Sequence, residues 1–139
     1  SRLDALQAAV LLAKLPHLAQ WSAKRRANAA FYHAAFADVA DIVTPYVEPV
    51  SESIFNQYTL RVPRRDDLRA HLTARGIGHS VYYPLPLHLQ PCFGYLEYQQ
   101  GQCPESEKAA AEVISIPIYP ELTPAQLEVV AAVRGFFGK

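Results

Sequence analysis

A chain of 139 residues, half of them hydrophobic, has the length of one ordinary domain and enough apolar material for a real core. Thirteen basic side chains balance thirteen acidic ones, and Lys24-Arg25-Arg26 is the longest basic run, which argues against a nonspecific nucleic-acid or membrane surface. No long uninterrupted apolar segment and no charged-then-apolar leader occurs, so the expected setting is soluble and cytoplasmic. The chain starts without an initiator methionine and holds no methionine at all, which points to a fragment of a longer protein.

Residues 5–15 predict a helix. Leu3, Leu6, Val10 and Ala13 recur at helical spacing, but Ala8, Ala9, Leu11 and Leu12 make most of the remaining circumference apolar too. A helix of that kind needs cover on several sides, so part of its surface is expected to pack on a missing domain or a second subunit. Pro16 ends or kinks it. A second helix follows over residues 18–37 with Leu18, Trp21, Arg25, Ala29, Tyr32 and Phe36 on one stripe, and Trp21, Phe31, Tyr32 and Phe36 are read as core. Gln20, Lys24, Arg26 and Asn28 are assigned to solvent.

Between Asp38 and Glu52 the composition turns to Val, Ile, Thr, Pro and Tyr, as in a short edge strand and a connection. Residues 53–62 then predict a strand with Ile54, Tyr58, Leu60 and Val62 on its inner face. Asp66 or Asp67 is positioned to cap a helix near 67–75 in which Leu68 and Leu72 lie one turn apart, and Gly76 supplies its left-handed stop. A second strand is expected at 79–83. It runs into Pro84 and Pro86, which fix φ and remove donors, so the Tyr82-to-His88 stretch should be a stiff loop presenting aromatic and imidazole groups. A helix over 105–112, a brief apolar segment at 114–118 and a last helix over 124–136 complete the chain, with Thr123-Pro124 as its cap and Leu127, Val130, Ala131 and Val133 as its buried face.

No glycine-rich phosphate loop, GxSxG elbow or HExxH is present, and the histidines at 17, 33, 71, 79 and 88 are scattered. No metal site and no self-contained catalytic residue is assigned. Cys92 and Cys103 lack a CxxC context and are read as two reduced thiols. His88 stands apart from the other histidines because it closes the stiff loop beside Tyr82 and Tyr83.

Four runs, SRLDALQAAVLLAKL, NQYTLRVPRRDDLRAHLTARGI, VYYPLPLHLQPCF and EKAAAEVISIPIYPELTPAQLEVV, occur in one order, and together they resemble the C-terminal part of the DegT/DnrJ/StrS sugar aminotransferases. The resemblance implies the C-terminal small α/β domain of a fold-type I pyridoxal-phosphate enzyme: a small, mostly antiparallel sheet flanked by helices over residues 39–139, preceded by a helical arm over 1–38. It implies a large N-terminal domain upstream that carries the Schiff-base lysine, so pyridoxal 5'-phosphate belongs to the full-length parent and no covalent cofactor is expected on this chain. It further implies a nucleotide-linked keto sugar as substrate, in nucleotide-sugar, cell-surface polysaccharide or antibiotic sugar biosynthesis, with glutamate as amino donor and a homodimeric parent. Arg2, Tyr82, Tyr83 and His88 are the substrate-side residues it marks, with His88 either ordering the loop or touching substrate. Relatives often carry histidine where Tyr82 stands, so a hydrogen bond to the sugar is expected there rather than acid-base work. Two other readings compete: a stand-alone α/β binding or interaction domain derived from that fold, and an enzyme that pairs Cys92 with His88.

Overall fold

The structure, a computed structural model, describes residues 3–122 and 125–138. Its centre is a two-stranded antiparallel sheet, β1 (Tyr58–Arg61) against β2 (Val113–Ile116), in the register Tyr58↔Ile116, Thr59↔Ser115, Leu60↔Ile114 and Arg61↔Val113. A single residue extends it on each side. Val43 exchanges both backbone hydrogen bonds with Arg61 at 3.0 Å, and Ser80 exchanges both with Ser115 at 3.0 and 2.7 Å. The edge segment expected between Asp38 and Glu52 is therefore present as one bridge.

Two strand assignments change. The strand at 53–62 is confined to Tyr58–Arg61, because Phe55 adopts a left-handed φ of 46° that breaks extension, and Ile54 is left 43% exposed. Tyr58, Leu60 and Val62 are buried as the period-two pattern requires. The expected strand at 79–83 is reduced to the Ser80 bridge, since the chain turns outward at Tyr82 and Tyr83 ahead of two prolines that offer no N–H to a ladder. The partner of β1 is instead the β-branched run Val113–Ile116.

Helices α3 (Arg65–Ala74) and α5 (Ala125–Phe136) pack on each other, α3 also meets β2, and α2 (Leu18–Phe36) packs on α5. Leu68 and Leu72 of α3 are fully buried, and Gly76 stops the helix at φ 68°. The α3 cap is Arg64 rather than Asp66 or Asp67; both aspartates sit in the first turn, where their charge opposes the helix dipole. In α5 the buried set is Gln126, Val129, Ala132 and Val133, while Leu127 is 65% exposed and Ala131 also faces out. Of the expected face, Val133 is buried and Val130 packs partly buried against the core, whereas Leu127 and Ala131 do not belong to it. The Thr123-Pro124 cap lies outside the described residues.

In α2, Ala29, Tyr32 and Phe36 enter the core, but Asn28, assigned to solvent, is buried, and Phe31, assigned to the core, is 38% exposed. The reason is a polar anchor: Asn28 Nδ2 donates to the Tyr119 carbonyl at 2.8 Å, which draws that face of the helix inward. Helix α1 (Ala5–Lys14) is capped by Asp4, whose Oδ1 accepts from the N–H groups of Leu6 and Gln7 at 2.9 and 3.2 Å. A 3-10 turn, Leu15–His17, holds Pro16 and joins α1 to α2. No residue of α1 is buried, and Leu6 and Leu12 are 75% and 69% exposed. No helix among the described residues is long and apolar enough to cross a membrane.

Candidate functional site

Beyond Ser80 the chain leaves the sheet as an irregular segment that returns at α4 (Pro104–Glu112), with 3-10 turns at Leu87–Leu89 and Pro91–Leu96. The loop and α4 face each other across an open cavity of about 570 Å³. Tyr82, Tyr83, Leu85, Pro86, Leu87 and Gln90 form one wall, and Ser106, Ala109 and Ala110 of α4 form the other. Tyr82 and Tyr83 are 45% and 70% exposed and meet edge to face with centroids 5.7 Å apart. Their hydroxyls are the polar groups that such an exposed aromatic pair offers a ligand. A smaller, more polar cavity of about 280 Å³, lined by Asn56, Gln57, His79, Ser80 and Ser115, opens on Tyr82 as well. Tyr82 thus borders both spaces.

The structure brings Tyr82 and Tyr83 together and turns His88 away from them. The His88 side chain is 9% exposed, and its Nε2 lies 3.0 Å from Glu107 Oε1 on α4. It lines a neighbouring cavity of about 360 Å³ with Phe93, Leu96, Tyr98 and Cys103. Its polar contact runs to α4 rather than to the Tyr82–Tyr83 cavity. Glu107 also accepts from the Gly101 N–H at 2.8 and 3.0 Å on its two oxygens and from the Cys103 N–H at 3.4 Å. Desolvation raises its carboxyl pKa, but the Gly101 N–H, the His88 ring and the Cys103 N–H outweigh that and hold it below the ordinary glutamate value. Sequence reasoning missed Glu107. The available signal was an acidic residue in the first turn of a helix opened by Pro104, a place where a carboxylate meets unpaired N–H groups.

Arg2 lies outside the described residues. Cys92 and Cys103 are free thiols, with the Cys92 Sγ directed to Gln90 Oε1 at 3.8 Å; His88 is committed to Glu107, so the cysteine–histidine pair is not assembled. Among the described residues no group of three His, Cys, Asp or Glu side chains gathers to hold a metal. Lys14, Lys24 and Lys108 are exposed and none lines the Tyr82–Tyr83 cavity; Lys108 borders a separate groove with Asp41, Arg61 and Glu112.

The DegT/DnrJ/EryC1/StrS aminotransferase family model matches residues 1–134, and this chain belongs to that family. A pleiotropic regulatory protein of Geobacillus stearothermophilus is 50% identical over 132 residues, covering 94% of this chain and 36% of that protein. The dTDP-3-amino-3,4,6-trideoxy-alpha-D-glucose transaminase of Streptomyces venezuelae is 42% identical over 96% of this chain and 36% of its own length. Among solved structures, S. venezuelae DesV in complex with a ketimine intermediate superimposes with a TM-score of 0.94 at 40% identity, over 99% of this chain and 38% of DesV. The chain therefore spans a little over a third of the proteins it matches, and its fold is that of the corresponding part of these aminotransferases.

Proposed function

We propose that this chain is the C-terminal portion of a pyridoxal-phosphate-dependent aminotransferase acting on a nucleotide-linked keto sugar, with residues 39–139 as its small domain and 1–38 as a helical arm. The carrying observation is the match of nearly the whole chain to sugar aminotransferases at up to 42% identity, over a little more than a third of their length. In this reading the large domain and the cofactor's lysine belong to the rest of the polypeptide, the parent is a cytoplasmic homodimer, and glutamate supplies the amino group. The cofactor contributes the electron sink for amino transfer. This chain contributes recognition: the Tyr82 and Tyr83 hydroxyls hydrogen-bond the sugar, Arg2 meets an anionic part of the nucleotide sugar, the apolar Leu85-Pro86-Leu87 stretch excludes water beside them, and His88 supports that wall from behind.

The exposed apolar helix α1 favours this reading over a stand-alone binding domain, because Leu6, Val10, Leu11 and Leu12 leave a face that water covers poorly. The test compares the parent protein with residues 1–139 alone. The parent should show the absorbance of bound pyridoxal phosphate, be trapped by borohydride and aminate a nucleotide-linked keto sugar; the 139-residue chain should do none of these. Stable trapping of the cofactor on Lys14, Lys24, Lys108 or Lys139 of the isolated chain would overturn the assignment.

A further inference from the structure

Among the described residues, every hydrogen bond that leaves the segment 81–102 for the rest of the protein ends on one side chain, the Glu107 carboxylate. Its other hydrogen bonds are local, such as Leu89 N–H to the Pro86 carbonyl, Gln90 N–H to Leu87, Phe93 N–H to Gln90 and Glu97 N–H to Gly94. Glu107 receives His88 Nε2 near the start of the segment at 3.0 Å and the Gly101 N–H near its end at 2.8 and 3.0 Å. Glu107 is also the neighbour of Ser106, which lines the opposite wall of the Tyr82–Tyr83 cavity, and His88 is the neighbour of Leu87, which lines the loop wall. The His88–Glu107 contact therefore joins the two walls directly behind their lining residues.

We propose that Glu107, with His88, is a positioning pair that sets the separation of the loop wall from α4 and so holds Tyr82 and Tyr83 ready for the sugar substrate. The inference rests on the aminotransferase reading for the identity of the ligand but not for the existence of the tie. A loop with almost no hydrogen bonds of its own to the scaffold samples many conformations when the tie is cut, and substrate must then order it on binding. The cost falls on KM. The chemical step, once substrate is seated, uses groups elsewhere, so kcat changes little.

The test uses the full-length protein with Glu107→Ala, the charge-removing but shape-conserving Glu107→Gln, His88→Ala and the Glu107→Ala/His88→Ala double variant. Hydrogen exchange should rise about tenfold or more across 81–102 in Glu107→Ala, while β1, β2 and α3 keep their protection. The KM for the nucleotide-linked keto sugar should rise about tenfold with kcat within about twofold, and the double variant should be no worse than Glu107→Ala, as expected for one shared interaction. If Glu107→Ala fails to fold, Glu107→Gln carries the same test with a smaller loop effect. Unchanged exchange across 81–102, fully additive losses in the double variant, or a fall in kcat at constant KM would each overturn the proposal. Failure of the wild-type parent to aminate any keto sugar would remove the aminotransferase reading, and the exchange and double-variant stability data would then decide the tie by themselves.

Discussion

Asn28 and Gln126 are 98 positions apart in the chain, yet Gln126 Nε2 donates to the Asn28 carbonyl at 3.1 Å while Asn28 Nδ2 reaches on to the Tyr119 carbonyl at 2.8 Å. Both side chains are buried, at 7% and 4% exposure, so this polar line stitches α2, the turn before α5 and α5 itself through the interior. Asn28→Leu removes the donor to Tyr119 and should destabilise the protein by about 0.5–1.5 kcal/mol, the net worth of one hydrogen bond, because the Tyr119 carbonyl still accepts from the Leu122 N–H at 3.3 Å. Gln126→Leu should cost a similar amount, because the Asn28 carbonyl within α2 likewise keeps its helical hydrogen bond. Urea unfolding midpoints measure both, and an Asn28→Leu midpoint equal to wild type would contradict the account.

Leu72 and Leu127 are both leucines on helices of the same layer, with opposite burial. Leu72 is wholly enclosed, and truncation to alanine should cost about 2–5 kcal/mol through lost contacts and a residual cavity. Leu127 is 65% exposed, and Leu127→Ala should stay within about 0.5 kcal/mol of wild type. Comparable losses at the two positions would mean that α5 presents the face expected from the sequence rather than the one described.

The Tyr58 hydroxyl is paired with His33 Nδ1, and the His33 ring meets Phe55 edge to face. Burial lowers the His33 pKa and raises that of Tyr58, so the phenol stays protonated and donates to a neutral imidazole. The unfolded chain takes up a proton on this histidine before the folded one does. Its contribution to stability is therefore complete above about pH 6.5 and is lost as pH falls through the lowered folded value. His33→Gln keeps an acceptor for Tyr58 and should flatten the difference in Tm between pH 7.5 and pH 5.5; an unchanged difference would assign the pH dependence to other groups.

Tyr83 is 70% exposed at the mouth of the main cavity. In the proposed parent aminotransferase Tyr83→Ala should raise KM or lower turnover by the equivalent of about 0.5–1.5 kcal/mol, with the fold and the absorbance of the proposed cofactor unchanged. A variant that melts early with normal substrate kinetics would make Tyr83 a packing residue.

Helix α1 contributes no buried residue. In the isolated chain, Leu6→Gln with Leu12→Gln should leave Tm within about a degree or two, since exposed positions lie close to neutral. In the proposed parent the same pair should reduce stability, because α1 would lose apolar groups that the reading buries there. Equal effects in both settings would remove the argument that α1 packs outside this chain.

The sequence by itself determined the helices, the buried face of β1, the stop at Gly76, the exposure of the proline-stiffened tyrosine loop and the family. Those features depend on local chemistry: periodic apolar spacing along α2 and α3, fixed φ at Pro84 and Pro86, and a left-handed glycine. Which strand pairs with β1 was a different kind of question. Residues 79–83 and 113–116 both look extendable, and only the three-dimensional register shows that Val113–Ile116 lies against Tyr58–Arg61 while Ser80 supplies a single bridge. The same holds for Asn28, Gln126 and Glu107. Each is polar and therefore reads as surface, and each has partners supplied by distant backbone or by a loop that folds back onto a helix. A side chain's own chemistry states what it can bond to; tertiary structure decided what came within 3 Å of it.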